Sequence, residues 1–141
     1  MLDYRASYIL TSDEIQCLLR AIGEERGPFP ELDALLLADV TPETASHLLE
    51  KHLLRRNGDE IVADPVAIWI ARMLVDAESL AKVDAEHGCF WWIKCGAHSL
   101  VMQSYPHIES AWRVSPFPDD TAVEKNFGVK RSVTLFARRK A

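Results

Sequence analysis

Three consecutive aromatic residues, Phe90, Trp91 and Trp92, constrain the fold of this chain more than any other feature of its sequence. They lie in residues 89–95, a run of aromatic and β-branched side chains that predicts a β-strand. Successive side chains of a strand point to opposite faces of the sheet, so both faces must accommodate a large ring. One face is expected to belong to the core. The other is either covered, with residues 116–128 as the candidate cover, or exposed as an apolar surface that binds a partner.

The residues after this strand predict an antiparallel sheet. Gly96 and Ala97 are typical of a two-residue type II′ turn, which returns the chain along residues 99–105. The resulting register places Trp91 opposite Met102, on the face that packs against helices. Two further strands are expected, at residues 108–114 and 131–137.

The first part of the chain has the pattern of helices joined by short loops. Thr11 and Glu14 have the spacing of a capping box, which predicts the start of the first helix. A short second helix is expected over residues 31–38. Thr41 followed by Pro42 is typical of the N-cap and first position of a third helix.

A β-hairpin is predicted after the third helix. Asn57 and Gly58 tolerate positive φ and are typical of the turn between residues 53–56 and 60–63. A longer helix is then expected over residues 65–83. Together the helices and the small hairpin have the outline of a winged helix, in which the third helix would be the one that reads DNA.

This outline supports one of two functional hypotheses, a winged-helix DNA-binding transcriptional regulator. His47 and Lys51 on the third helix, with Arg55 and Arg56 in the hairpin, are the candidate DNA contacts. The formal net charge of -5 opposes this hypothesis, because a DNA-binding protein needs positive charge to displace counterions from phosphates. Nucleic acid is therefore the less favoured partner.

Charge is divided unevenly along the chain of 141 residues. Residues 1–88 carry 8 Lys and Arg against 17 Asp and Glu, whereas residues 89–141 carry 8 against 4. We expect a single domain with an acidic helical portion and a basic strand-rich portion, because neither alone would bury a sizeable core. Five basic residues near the C-terminus, with no acid among them, are interpreted first as a basic strand edge with a frayed tail, or as a segment docked on the acidic portion. The alternative is a patch for an acidic partner or nucleic acid. The five residues are Lys130, Arg131, Arg138, Arg139 and Lys140.

Five residues, His87, Cys89, Cys95, His98 and His107, are candidates for a metal site. In a straight strand the two cysteines lie about 20 Å apart, at roughly 3.3 Å per residue, so they cannot share an ion. Cys95 and His98 span a turn and could supply two ligands, but the sequence offers no convincing second pair. It leaves open whether His87, Cys89, Cys95 and His98 converge. No metal, cofactor, small-molecule ligand or catalytic residue is expected, and the function is predicted to be non-enzymatic.

The cellular compartment is predicted from the cysteines and from hydropathy. Three cysteines suit a reducing compartment better than a disulfide scaffold. No apolar run approaches the roughly 20 residues that cross a bilayer. The chain is therefore expected to be cytoplasmic, with no membrane partner.

The whole-chain pattern resembles the EspG-type chaperones associated with type VII secretion and their relatives in Gram-positive bacteria. The resemblance lies in residues 8–11 before a Leu-rich helix, in residues 53–61 after the third helix, and in the late strands. It implies a non-enzymatic bacterial protein that holds a secreted partner protein soluble. Members of that family contain two related α/β halves and this chain has room for one, which suggests a dimer.

These patterns predict an α+β fold, in which N-terminal helices with a winged-helix-like outline pack on one face of a C-terminal antiparallel sheet of three or four strands. The leading functional hypothesis is a chaperone-like or adaptor protein that binds a protein partner, or a second copy of itself, through the sheet. Phe90, Trp92 and Trp112 are the predicted apolar contacts, and Arg113 is the predicted polar contact.

Overall fold

The centre of the fold is a six-stranded antiparallel sheet, beside a separate two-stranded hairpin. The computed structural model describes residue 4 and residues 6–139. Its helices are α1 (Ser12–Ala21), α2 (Pro30–Leu35), α3 (Pro42–Glu50), α4 (Pro65–Val75) and α5 (Asp120–Phe127). Its strands are β1 (Tyr8–Thr11), β2 (Leu54–Asn57), β3 (Glu60–Ala63), β4 (Ser79–Ala85), β5 (Gly88–Cys95), β6 (His98–Ser104), β7 (Ala111–Phe117) and β8 (Lys130–Phe136). The strand order of the sheet is β1-β7-β6-β5-β4-β8, and β2 and β3 form the hairpin. The predicted α+β class is confirmed.

The sheet is larger than the three or four strands predicted, because β1 and β4 come from residues that the sequence pattern does not assign to it. The helix expected over residues 65–83 is wrong in its second half, since α4 ends at Val75 and β4 follows. Within β4, Ala81 and Val83 are buried on one face and Leu80 on the other. Hydrogen bonds from β5 and β8 hold these residues in the sheet, and such tertiary pairing overrides a weak helical preference.

The β5–β6 hairpin has the predicted register. Trp91 lies opposite Met102 and Ile93 lies opposite Leu100. Gly96 begins the two-residue turn with φ of 60°, a backbone conformation that glycine adopts without strain. The last predicted strand is also confirmed, since β8 lies within one residue of the expected range.

Two other predicted positions are shifted along the chain. β7 begins three residues later than the expected range 108–114, because the residues before it form turns in which Ile108 is exposed. In the β2–β3 hairpin Asn57 still belongs to the ladder, opposite Glu60. The turn is therefore one residue later than predicted, and Gly58 takes its positive φ of 66°.

Helices lie on both faces of the sheet, which corrects the prediction that they lie on one. Helices α1 to α4 pack on the face called here the helix face, and α5 packs on the opposite face, called here the α5 face. Each face has its own buried cluster. The sheet residues of the first cluster are Leu10, Leu80, Ile93, Leu100, Met102 and Val114. Those of the second are Ala81, Val83, Ala85, Phe90, Trp92 and Val101, covered by Val123 and Phe127.

Candidate protein-binding surface

Phe90 and Trp92, predicted as apolar contacts for a partner, are each only 3% exposed. Helix α5 covers them. Phe127 stacks on Phe90 with ring centroids 4.1 Å apart, and Val123 is fully buried in the same cluster. The prediction that these two rings form an exposed contact surface is therefore wrong, because residues 120–127 provide the cover that a partner would otherwise supply.

Two lysines of the sheet and two acidic residues of α5 complete the cover over Trp92. The ammonium groups of Lys94 and Lys130 lie 4.2 and 4.9 Å from the centroid of the indole ring. Asp120 accepts from Lys94 at 2.9 Å, and Glu124 lies 3.5 Å from the Lys130 ammonium. Each lysine thus contacts both the Trp92 ring and a carboxylate of α5, and these contacts help to hold α5 on the sheet.

The other two predicted contacts, Trp112 and Arg113, lie on opposite faces of β7. Trp112 packs against the core of the helix face, and its indole N–H donates to the Ser12 hydroxyl at 3.1 Å. Arg113 is exposed on the α5 face, where it donates to Ser7 at 3.3 Å and lies 5.7 Å from the Tyr105 ring. The four predicted contact residues therefore do not form one surface.

The most exposed apolar side chains of the sheet lie on β8 instead. Leu135 is 75% exposed and Val133 is 47% exposed, and Val129 just before the strand is also exposed. In the strand order β8 pairs only with β4, so its other backbone edge has no neighbouring strand among the described residues. We call Val129, Val133, Leu135 and this unpaired backbone the β8 edge.

Four cations lie on and after β8 within the described residues, which end at Arg139, and two of them are already paired. Lys130 lies beside Glu124, and Arg139 forms an ion pair with Asp33 of α2. Within the part of the chain that the structure describes, Arg131 and Arg138 have no ion pair. The β8 edge thus combines an apolar centre with a free arginine near each end.

Two of the four candidate DNA contacts form ion pairs within the protein, and the other two are exposed. Lys51 is 2.7 Å from Glu14 and also donates to a backbone carbonyl of β1, and Arg55 lies 3.5 Å from Asp64. His47 and Arg56 are exposed. Two of the four candidate DNA contacts, Lys51 and Arg55, are therefore already paired with other groups of the protein, and DNA binding stays a prediction.

The metal-site candidates do not converge on one point, although Cys95 and His98 are strand neighbours. His87 lies in the turn before β5, and His107 lies in the turns before β7, with its ring 5.3 Å from that of Tyr105. Cys89 and Cys95 lie at opposite ends of β5, and the Cys89 thiol donates to Asp84 at 3.3 Å. His98 lies opposite Cys95 beyond the turn and bonds the Tyr4 hydroxyl at 3.2 Å. Among residue 4 and residues 6–139, no group of three or more His, Cys, Asp or Glu side chains is placed to hold a metal ion.

The Cys89 thiol gives a testable prediction about reactivity. Its hydrogen bond to Asp84 raises the pKa of the thiol above its ordinary value, which lowers the fraction of reactive thiolate at neutral pH. We expect D84N to lower that pKa and to increase the rate of Cys89 alkylation by iodoacetamide at pH 7.5, followed by peptide mass spectrometry. Cys95, whose pKa is raised mainly by burial, is the internal control and should react at an unchanged rate.

Comparison of the sequence with protein-family models and with curated proteins finds no match. In the described part of the chain, no helix has the length and apolar composition needed to span a membrane.

Proposed function

We propose that this protein is a non-enzymatic binding protein, and that it binds an extended segment of a partner polypeptide as an additional strand on β8. The observation that carries the proposal is an unpaired strand edge that bears the exposed side chains of Val133 and Leu135. In strand addition the backbone groups of the edge supply hydrogen bonds, and alternate side chains supply specificity. An uncovered apolar edge of this kind otherwise promotes aggregation.

The opposite edge of the sheet, β1, is less suited to the same role. β1 has four residues, whereas β8 has seven, of which six are exposed. The Lys51 ammonium donates at 2.8 Å to the carbonyl of Ile9, and Leu10 is fully buried. β8 therefore offers the longer and more accessible template.

The proposal retains the expectation of protein binding, but it assigns the binding surface to β8 and not to the face that contains Phe90 and Trp92. The EspG-type resemblance, the chaperone-like role and the cytoplasmic location also remain proposals, and they agree with a non-enzymatic protein. The winged-helix alternative remains open to a duplex-binding assay, in which His47 and Arg56 are the free candidate contacts.

A synthetic peptide of alternating Val and Thr with Gln at both ends tests the proposal. We expect it to perturb the amide NMR signals of β8 and to bind L135K at least about tenfold more weakly, a difference of about 1.4 kcal/mol. A lysine at an exposed edge position opposes pairing with a further strand. Binding would be followed by fluorescence anisotropy of the labelled peptide.

L37K is the matched control for this experiment. Leu37 is 81% exposed and lies after α2, outside the sheet, so the same substitution there should leave peptide affinity unchanged. Equal binding to L135K and the unsubstituted protein, or NMR perturbations confined to residues outside β8 and β4, would contradict the proposal. Circular dichroism would verify that both variants are folded.

A further inference from the structure

We infer that the segment bound at the β8 edge has acidic residues flanking an apolar centre and belongs to a different polypeptide. This inference rests on the proposed function and specifies the partner. Residues 130–139 contain four basic side chains and no acidic one. The centre of β8 carries the exposed apolar pair Val133 and Leu135.

The positions of the free cations set the length of the segment. Glu124 and Asp33 pair with Lys130 and Arg139, so among residues 130–139 Arg131 and Arg138 are the basic side chains that a ligand can pair. They lie near the two ends of β8. A strand of seven residues spans about 24 Å at roughly 3.4 Å per residue, so one extended segment of about that length reaches both.

A second copy of this chain matches the β8 edge poorly. Two β8 strands side by side would bring together the unpaired Arg131 and Arg138 of both copies, and residues 130–139 of neither copy supply an acidic side chain to meet them. The acidic helical portion does not remove this repulsion, since exposed charges beyond a Debye length of about 8 Å are largely screened at physiological salt. Like charges across an interface oppose association, whereas acidic side chains there favour it.

Nucleic acid is a second possible anion, and the apolar centre argues against it. A phosphate backbone presents charge at every nucleotide, whereas the centre of β8 presents the uncharged apolar side chains of Val133 and Leu135. A polypeptide strand with apolar residues between two acidic ends matches both the apolar centre of the β8 edge and the arginines near its two ends.

Three peptides with one shared Val-Thr centre and with Glu, Gln or Lys at both ends test the inference. We expect affinity to fall in the order Glu, Gln, Lys. Between the Glu and Lys peptides the difference should be at least about tenfold at low salt and should nearly vanish at 1 M salt, where the Debye length is about 3 Å.

The double variant R131Q/R138Q should remove the preference for the Glu peptide and leave binding of the Gln peptide unchanged. The control R20Q/R26Q makes the same change in net charge at exposed positions outside the sheet, and it should retain the preference. Fluorescence anisotropy at two salt concentrations measures both effects.

The possible failures of the inference and of the proposed function are distinguishable. Equal affinity for the three peptides would overturn the acidic partner and leave strand addition intact, whereas failure of all three to bind would overturn strand addition itself. A dimer seen by light scattering and abolished by L135K would make a second copy the occupant and overturn the inference. A single-stranded oligonucleotide that displaces the Glu peptide at lower concentration than the peptide itself would overturn it as well.

Discussion

Replacing Phe127 with alanine is expected to lower the free energy of unfolding by about 3–5 kcal/mol. The Phe127 ring is buried at the end of α5, stacked on Phe90 and 6.3 Å from the ring of Phe117. Its loss leaves a cavity and removes one of the two buried side chains by which α5 is fixed to the sheet. Since α5 covers Phe90 and Trp92, F127A should also expose these two rings to solvent.

Urea denaturation followed by circular dichroism measures the first effect, and binding of an apolar dye measures the second. V129A is the matched control, because Val129 lies two residues away, is 72% exposed and should change stability by no more than about 0.5 kcal/mol. If F127A unfolds within about 1 kcal/mol of the unsubstituted protein and binds no additional dye, α5 is not the cover described here.

The need for such a cover could be predicted from the sequence. Three aromatic residues in one strand require apolar surroundings on both faces, and period-two alternation assigns Phe90 and Trp92 to the same face. Residues 116–128 were also the correct candidate cover, since α5 lies within them. The sequence alone does not decide between this segment and a partner chain, because the outcome depends on packing between distant parts of the chain.

Strands β1 and β4 could not be predicted in the same way. The apolar residues of α4 continue at Leu80 and Val83 with a spacing that a helix also satisfies. What makes residues 79–85 a strand is pairing with β5 on one side and β8 on the other, and local periodicity contains no information about that pairing. β1 is four residues long, too short to show an alternating pattern.

The candidate site depends on the same long-range information. Residues 131–137 are recognisable as a strand, but its place at the edge of the sheet follows from strand order, which only the fold determines. The sequence does contain one signal, the basic residues at both ends of the predicted strand, since charged side chains are typical of strands at the edge of a sheet. Trp112 and Arg113 show the converse, since adjacent residues of a strand point to opposite faces and could not share one surface.

Replacing Lys51 with methionine is expected to destabilise the protein by about 3 kcal/mol, because it leaves a buried carboxylate without its counter-charge. Glu14 is 1% exposed, and its Oε1 accepts from the Thr11 N–H at 2.8 Å, from the Thr11 hydroxyl at 3.0 Å and from the Lys51 ammonium at 2.7 Å. Among the described residues its Oε2 has no hydrogen-bond partner, so K51M would leave the carboxylate with only the two neutral donors of Thr11. The capping box predicted for α1 thus contains a charge that Lys51, the residue after α3, neutralises.

The double variant K51M/E14Q separates this explanation from a simple loss of packing. A neutral amide oxygen at residue 14 can still accept from the Thr11 N–H, and it needs no counter-charge, so E14Q should recover part of the stability lost in K51M. R55M is the matched control, since Arg55 is exposed, lies 3.5 Å from Asp64 and should contribute no more than about 1 kcal/mol. Urea unfolding of the four proteins in the cycle, and of R55M, gives these free energies.

A duplex-binding assay on the same variants tests the alternative role of Lys51. If Lys51 were a DNA contact, K51M would weaken duplex binding at physiological salt and leave the unfolding free energy nearly unchanged. The structure predicts the reverse, a large loss of stability that E14Q partly repairs, because the ammonium group already bridges Glu14 and the Ile9 carbonyl. A residue that joins α1 and β1 to the end of α3 in this way is bound within the protein, so of the four candidate DNA contacts only His47 and Arg56 are left for a duplex.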